Sequence, residues 1–168
     1  REISCVDLME SCIHRYEQVN GAINAVTETN FENALSVSKD VDKNFEQRIA
    51  NERFLPIPIG IKDLNDVAGM KTTYGSPLFQ NNKVENDDDV VAHLKDASAI
   101  IFGKTNVPEH GFGATTTNPL QGSTGNPFNP SLSAGASTGG GAAAVAAGIV
   151  PLATGSDFAG SLRTPAGF

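Results

Sequence analysis

Apolar residues recur at helical spacing near the start of the chain. Cys5, Leu8, Met9, Cys12, Ile13 and Tyr16 fall at i, i+3, i+4, i+7, i+8 and i+11, which is one face of a helix. Ser4 and Asp7, just ahead of this stripe, make a capping box. Phe31, Ala34, Leu35, Ser38, Val41 and Phe45 predict a second helix, after a short strand near 23–28. Both helices read as amphipathic cover. "PIPIGIK", 56–62, alternates Pro and Ile and ends in a strand that stops at Asp63. The acidic run 87–89 predicts a helix N-terminus ahead of Val90, Val91 and Leu94, because carboxylates favour the positive end of a helix dipole. "SAIIFGKTN", 98–106, predicts a buried strand. A helix between two strands implies α/β architecture with parallel strands.

From 115 to 132 the periodicity gives way to Asn, Pro, Gly and Thr, and irregular stretches of that length are usually functional or disordered. In "SAGASTGGGAAAVAAG", 133–148, every residue but Val145 is Gly, Ala, Ser or Thr. Its second half predicts a helix, and its first half a glycine-rich turn that lets another backbone approach closely. "IVPLATGSD", 149–157, predicts a further buried strand leading into the serine-containing turn "TGSDFAGSLRTP", 154–165. Neither repeat nor linker divides the sequence, so residues 1–168 are expected to lie in a single domain.

The charge balance narrows the function classes. Lys and Arg number 12 against 19 Asp and Glu, a net charge of -7, which argues against a nucleic-acid footprint or docking on anionic lipid. No apolar run approaches the ~20 residues of a membrane-spanning helix. Cys5 and Cys12, seven positions apart on the first predicted helix, are too far apart for a disulfide and read as core thiols in a reducing, cytoplasmic compartment. No Cys/His spacing suits a metal. The sequence opens on Arg1, not Met, so its natural start is expected further upstream.

The glycine-serine region admits three readings. One is a small-residue helix packed on a sheet. A second, a phosphate cradle, is poorly supported, since no GxxxxGK[ST] occurs and "GFGATT", 111–116, does not complete GxGxxG. The third is serine catalysis. "GASTG", 135–139, satisfies the GxSxG of a nucleophile elbow. That elbow needs a strand directly before it, which "NPFNPSLSA" is not expected to supply, and a histidine after it. His14, His93 and His110 all precede Ser137. A serine nucleophile without histidine needs another base, and Ser-Lys pairs are the known substitute. Lys62, at the end of an apolar strand where burial lowers an amine's pKa, is the best candidate. Lys104 in "FGKTN" competes on local pattern, and spacing does not separate the two.

The ordered set "PIPIGIKDLNDVAGMKTTYGS", "AIIFGKTNVPEHGFG", "GNPFNP" and "GASTGGGAAAVAAGIVPLATGSDFAGSLRTPAGF" resembles the amidase signature family of serine hydrolases, nearly end to end. Ser137 and Ser161 stand 24 positions apart, as that family's two serines require. The resemblance implies a mixed central sheet covered by helices on both faces, here incomplete. It implies an amide hydrolase with Ser161 as nucleophile, Ser137 as bridging serine after a cis peptide bond, and Lys62 as base. The amides around Phe158, Ala159, Gly160 and Ser161 would form the oxyanion hole, with Thr138, Asp157 and Arg163 in support. It implies no metal or cofactor, a small-molecule amide as substrate, and a homodimer as an allowed assembly. Ala159 replaces the first of two glycines usual in the family, Phe158 stands where a smaller residue is common, and Thr138 and Gly141 stand where serines are frequent. The alternatives are a catalytically silent scaffold and the glutaminase subunit of a tRNA-dependent amidotransferase, although "HGFGATTTNPLQGSTGNP" resembles free-standing amidases more. Family members are far longer, so this piece is expected to be a fragment, inactive alone.

Overall fold

Helix α1 (Cys5–Ile23) begins behind a complete capping box. Ser4 Oγ accepts from the Asp7 amide at 2.9 Å and Asp7 Oδ2 accepts from the Ser4 amide at 2.9 Å, satisfying donors that the first turn leaves unpaired. These features belong to a computed structural model that describes residues 2–50 and 56–168. The helix runs to Ile23 and stops at Asn24 in the left-handed conformation, so the strand expected from 23 starts later, as β1 (Val26–Thr29). The predicted second helix is divided into α2 (Phe31–Lys43) and α3 (Phe45–Ile49). Asn44 lies between them: its backbone amide and its side chain both donate to the Asp40 carbonyl, at 3.1 and 3.0 Å, and its φ/ψ of -107°/16° leaves the helical region.

Strand β2 (Pro58–Lys62), helix α4 (Asp89–Asp96) and strand β3 (Ile100–Thr105) follow as predicted. The acidic run stands at the helix N-terminus as expected, with Asp89 in the first turn, and has a second role. Asp88 sits at the N-cap of α4 without a side-chain capping bond. Asp88 instead accepts from Asn65 Nδ2 and the Asp66 amide, and Asp87 accepts from the Ala68 amide and Lys95. The run therefore fastens the loop after β2, because backbone donors there lack other partners.

The irregular region holds two antiparallel ribbons: β4 (Thr117–Asn118) with β5 (Gly122–Ser123), and β6 (Gly125–Asn126) with β7 (Asn129–Ser133). A strand thus does form before Ser137, contrary to expectation. It tolerates Pro130 because it is an exposed ribbon with a register break, outside the main sheet. Helix α5 (Gly139–Ala146), strand β8 (Leu152–Ala153) and helix α6 (Arg163–Ala166) complete the chain.

The main sheet has the order β1-β3-β2-β8. β3, β2 and β8 are mutually parallel, and β1 is antiparallel on the outer edge of β3. The sheet is therefore mixed. The last strand is not the buried one expected: only two residues pair, and Leu152 is 42% exposed, while burial falls on Ile149 and Val150 just before it. Helices α1, α2 and α5 pack on one face, on Ile100 and Phe102, with Tyr16, Phe31 and Phe102 meeting ring to ring. Helix α4 covers the other face through Val91, against Ile59, Ile61 and Ile101. Cys5 and Cys12 are both buried on α1, and burial pushes the Cys12 thiol up to about 11.

The turn expected ahead of the helix holds through Thr138, and α5 begins at Gly139, two residues earlier than the expected second half, so the glycine run 139–141 is its first turn. Its close approach explains the composition: a Cβ on Gly140 would collide with the Asn106 backbone just after β3. The Gly140 amide instead donates to Asn106 O at 3.2 Å. This seats the residues just before α5 against the carboxyl ends of β2 and β3.

Candidate active site

Three chain segments converge at the end of β2. Lys62 is fully buried there, and its backbone amide donates to Thr154 Oγ1 at 2.8 Å. The ammonium nitrogen reaches three hydroxyls, Ser137 Oγ at 2.9 Å, Thr138 Oγ1 at 3.0 Å and Ser156 Oγ at 2.9 Å. A lysine has three donors, so each is matched by one hydroxyl oxygen. Burial pushes Lys62 down from 10.5 to about 8, partly opposed by the charge of Asp157. An amine in that range is a usable proton acceptor near neutral pH.

Ser137 and Ser156 open from this cluster onto a cavity of about 780 Å³, whose wall also carries Ser161. The Ala136–Ser137 peptide bond is cis. Ser161 Oγ has no hydrogen-bond partner among the described residues, while its carbonyl accepts from the Thr138 amide at 3.1 Å. Thr138 thus joins Lys62 through its hydroxyl and the Ser161 turn through its backbone.

The turn 157–163 is organised by Asp157. Its carboxylate accepts from the amides of Gly160 (2.7 Å), Leu162 (3.0 Å) and Arg163 (3.1 Å), and pairs with the Arg163 guanidinium at 2.8 Å. That guanidinium and the three amides hold the carboxyl well below the usual range. The residues expected to form the oxyanion hole lie on this turn. Gly160 N–H is already bound to Asp157, which leaves the amides of Phe158, Ala159 and Ser161 without an acceptor among the described residues. Gly160 serves through its φ of +107°, a region that L side chains rarely adopt. Ala159 lies outside the positive-φ residues, so its methyl carries no backbone strain. The Phe158 ring lines the cavity and is fully exposed.

The two candidate lysines separate cleanly. Lys104 lies on the next strand but is directed at Asp63, with 3.1 Å between charges and both side chains 1% exposed. It also donates to Asn65 O at 2.6 Å and Thr72 Oγ1 at 2.9 Å. Asp63 in turn accepts from the Thr73 amide and hydroxyl. Lys104 is a buried structural cation that ties the loop after β2 to β3. Lys104→Met in the full-length protein should cost about 3–5 kcal/mol, the penalty for leaving one member of a buried pair uncompensated. A lowered urea midpoint with an unchanged denaturant slope checks this.

A family model described as Amidase matches residues 7–168. The chain belongs to the amidase signature family. Over its whole length it is 39% identical to the A subunit of the glutamyl-tRNA(Gln) amidotransferase of Halalkalibacterium halodurans, and it covers 35% of that protein. It is 41% identical to an acylamidase of Rhodococcus erythropolis, with 95% of the chain aligned to 33% of the relative. Among solved structures, 6-aminohexanoate cyclic dimer hydrolase complexed with substrate superposes with a TM-score of 0.87 at 35% identity, covering 98% of this chain and 33% of that one. This amidase chain thus spans about a third of the length of the curated relatives it matches.

Sequence reasoning named Lys62, Ser137 and Thr138 but missed Ser156 and Thr154. Both lie in the quoted motif, yet a Ser and a Thr just past a strand are ordinary turn residues. What distinguishes them is the parallel register of β8 on β2, Gly60 opposite Ala153, which carries the segment beyond β8 past Lys62. Among the described residues no helix of this amidase chain is long and apolar enough to cross a membrane.

Proposed function

We propose that the full-length protein hydrolyses the C–N bond of a small carboxylic amide through an acyl-enzyme on Ser161, with Ser137 and Lys62 as proton relay. One observation carries this reading: a buried lysine with a lowered pKa donates to Ser137 Oγ at 2.9 Å, on the wall that also holds Ser161. In the neutral-amine state Lys62 accepts the proton of Ser137, which takes that of Ser161 as Ser161 Oγ bonds to the amide carbon. Charge on the carbonyl oxygen is met by the amides of Phe158, Ala159 and Ser161, where each lost donor typically costs about 10²-fold or more in rate. The relay then runs backwards: the leaving amine takes the proton, the C–N bond breaks, and water later releases the acid by the same steps. Thr138, Asp157 and Arg163 hold the parts in place. Each proton and charge in this cycle has a protein group to receive it. The cytoplasmic setting expected from two thiols belongs to the same proposal.

Fluorophosphonate labelling of the full-length protein, with peptide mapping, tests the assignment. Label on Ser161 supports it, label on Ser137 revives the elbow reading, and no label favours a silent scaffold. The 39% identity to an amidotransferase component over the whole chain supports a second reading, a glutaminase that releases ammonia for a partner protein. Glutamine-dependent ammonia release that appears only with such a partner present would establish it.

A further inference from the structure

The stretch 115–132, irregular in sequence, supplies no group to the proton relay, yet it carries the segment that holds Ser137. Thr116, near its start, is buried at 1% exposure. Its hydroxyl donates to the Gly135 carbonyl at 2.8 Å, and its amide donates to the same oxygen at 3.1 Å. Two donors from one residue fill both lone pairs of that carbonyl. Gly135 lies two residues before Ser137. Two residues after Ser137, Gly139 packs on the same side chain: a Cβ there would collide with Thr116 Oγ1 and come within 2.9 Å of Thr116 Cβ. One buried threonine therefore touches both sides of the turn whose centre is Ser137.

The turn is closed from behind as well, since a Cβ on Gly135 would meet Pro165 Cα of α6 at 2.9 Å. Thr116 is itself anchored. Its carbonyl accepts from the Thr124 amide at 2.8 Å. Thr124 Oγ1 donates to Asn24 O at 2.7 Å and accepts from Asn106 Nδ2 at 3.0 Å. Asn106 is fully buried directly after β3, and its own carbonyl takes the Gly140 amide. The support of Ser137 thus runs through Thr116 to the end of α1 and the end of the main sheet.

We propose that Thr116 is a positioning residue for Ser137, its side chain setting the height of the 135–139 turn so that Ser137 Oγ stays within reach of Lys62 and Ser161. The inference rests on the amidase reading and adds to it a residue that touches none of the reacting atoms. Thr116→Val keeps the side chain's shape and places a methyl where the hydroxyl stood, 2.8 Å from the Gly135 oxygen. Carbon approaches such an oxygen only to about 3.3 Å, so the turn must move by roughly 0.5 Å. Ser137 Oγ sits 2.9 Å from Lys62 Nζ, and a misplacement of about 1 Å in such a constellation can cost about 10²-fold in rate.

The test is the rate of fluorophosphonate labelling of Ser161 in the full-length protein, followed across the pH range of the Lys62 titration. In Thr116→Val the high-pH plateau is expected to fall about tenfold or more, with the inflection still at about 8 because the base is untouched. Thr116→Ser, which keeps the donor, is expected to restore the plateau. Thr124→Val removes a similarly buried hydroxyl of the same region that makes no hydrogen bond to 135–139 among the described residues, and is expected to leave the plateau in place. Thr116→Cys, whose thiol is a weak donor, is expected to fall below Thr116→Ser and carries the comparison if Thr116→Val does not fold. An undiminished plateau in Thr116→Val, or in Thr116→Cys where that variant stands in for it, overturns the proposal. So do equal losses in Thr116→Val and Thr124→Val, or an inflection carried towards 10.5 by water reaching Lys62, since both mean general loosening. These outcomes leave the amidase reading standing, whereas an unmodified protein that takes no label on Ser161 overturns both.

Discussion

Ser161→Ala in the full-length protein is expected to lower kcat for amide hydrolysis by about 10⁴-fold or more, with fluorophosphonate labelling lost and the fold intact. Removing a serine nucleophile elsewhere costs up to about 10⁶-fold, and what survives comes from the oxyanion donors and binding. The geometry makes the experiment clean. Ser161 Oγ has no hydrogen-bond partner among the described residues, and the contact that fixes its turn uses the backbone carbonyl, held by the Thr138 amide. The variant removes one oxygen and leaves that bond in place, so the unfolding free energy should move by less than about 0.5 kcal/mol. Ser137→Ala differs in kind, because Ser137 Oγ is one of the three acceptors around Lys62. Its loss disturbs the amine as well as the relay. A Ser161→Ala protein that retained activity while Ser137→Ala abolished both labelling and turnover would move the nucleophile to Ser137.

How far the sequence reached can be followed residue by residue. The stripe from Cys5 to Tyr16 and the Ser4–Asp7 box determine α1, because helix periodicity and capping are local physics. Breaks made by side chains were less visible. Asn44 marks the end of α2 with its side chain and amide both on the Asp40 carbonyl, and in composition it looks like any polar surface residue. The acidic run was legible as charge but not as a partner, since its donors lie about 20 positions upstream, on the loop after β2. The choice between Lys62 and Lys104 was not legible from pattern, because both lie near the ends of apolar strands. It is decided by what the folded chain brings to each amine: three hydroxyls in one case, a carboxylate and carbonyls in the other. Ser156 stayed hidden for a related reason. Its partner sits 94 positions away and meets it only through strand register.

Lys62→Met should lower kcat/KM for amides by about 10²–10⁴-fold, the range a positioned general base contributes, and should change the pH dependence of both activity and stability. The active form carries the neutral amine. With Lys62 at about 8, kcat/KM of the unmodified protein should rise with pH, roughly tenfold per unit well below that value, and level off above it. The residual rate of Lys62→Met should lack this inflection. Stability follows the same group with a defined sign. In the unfolded chain the amine titrates near 10.5, and in the folded chain at about 8. Between these values the unfolded state binds more protons at this site, so its contribution to the unfolding free energy grows as pH rises through the window. Below about 8 both states hold the proton and the contribution is flat. Urea titrations from pH 7 to 10.5 should therefore show the free-energy difference between the unmodified protein and Lys62→Met changing in favour of the unmodified protein only above about 8. A difference that stays constant across the range would mean that Lys62 is not desolvated in solution. A protein with no buried, easily deprotonated lysine would have no base for Ser137, and the proposed relay would fail with it.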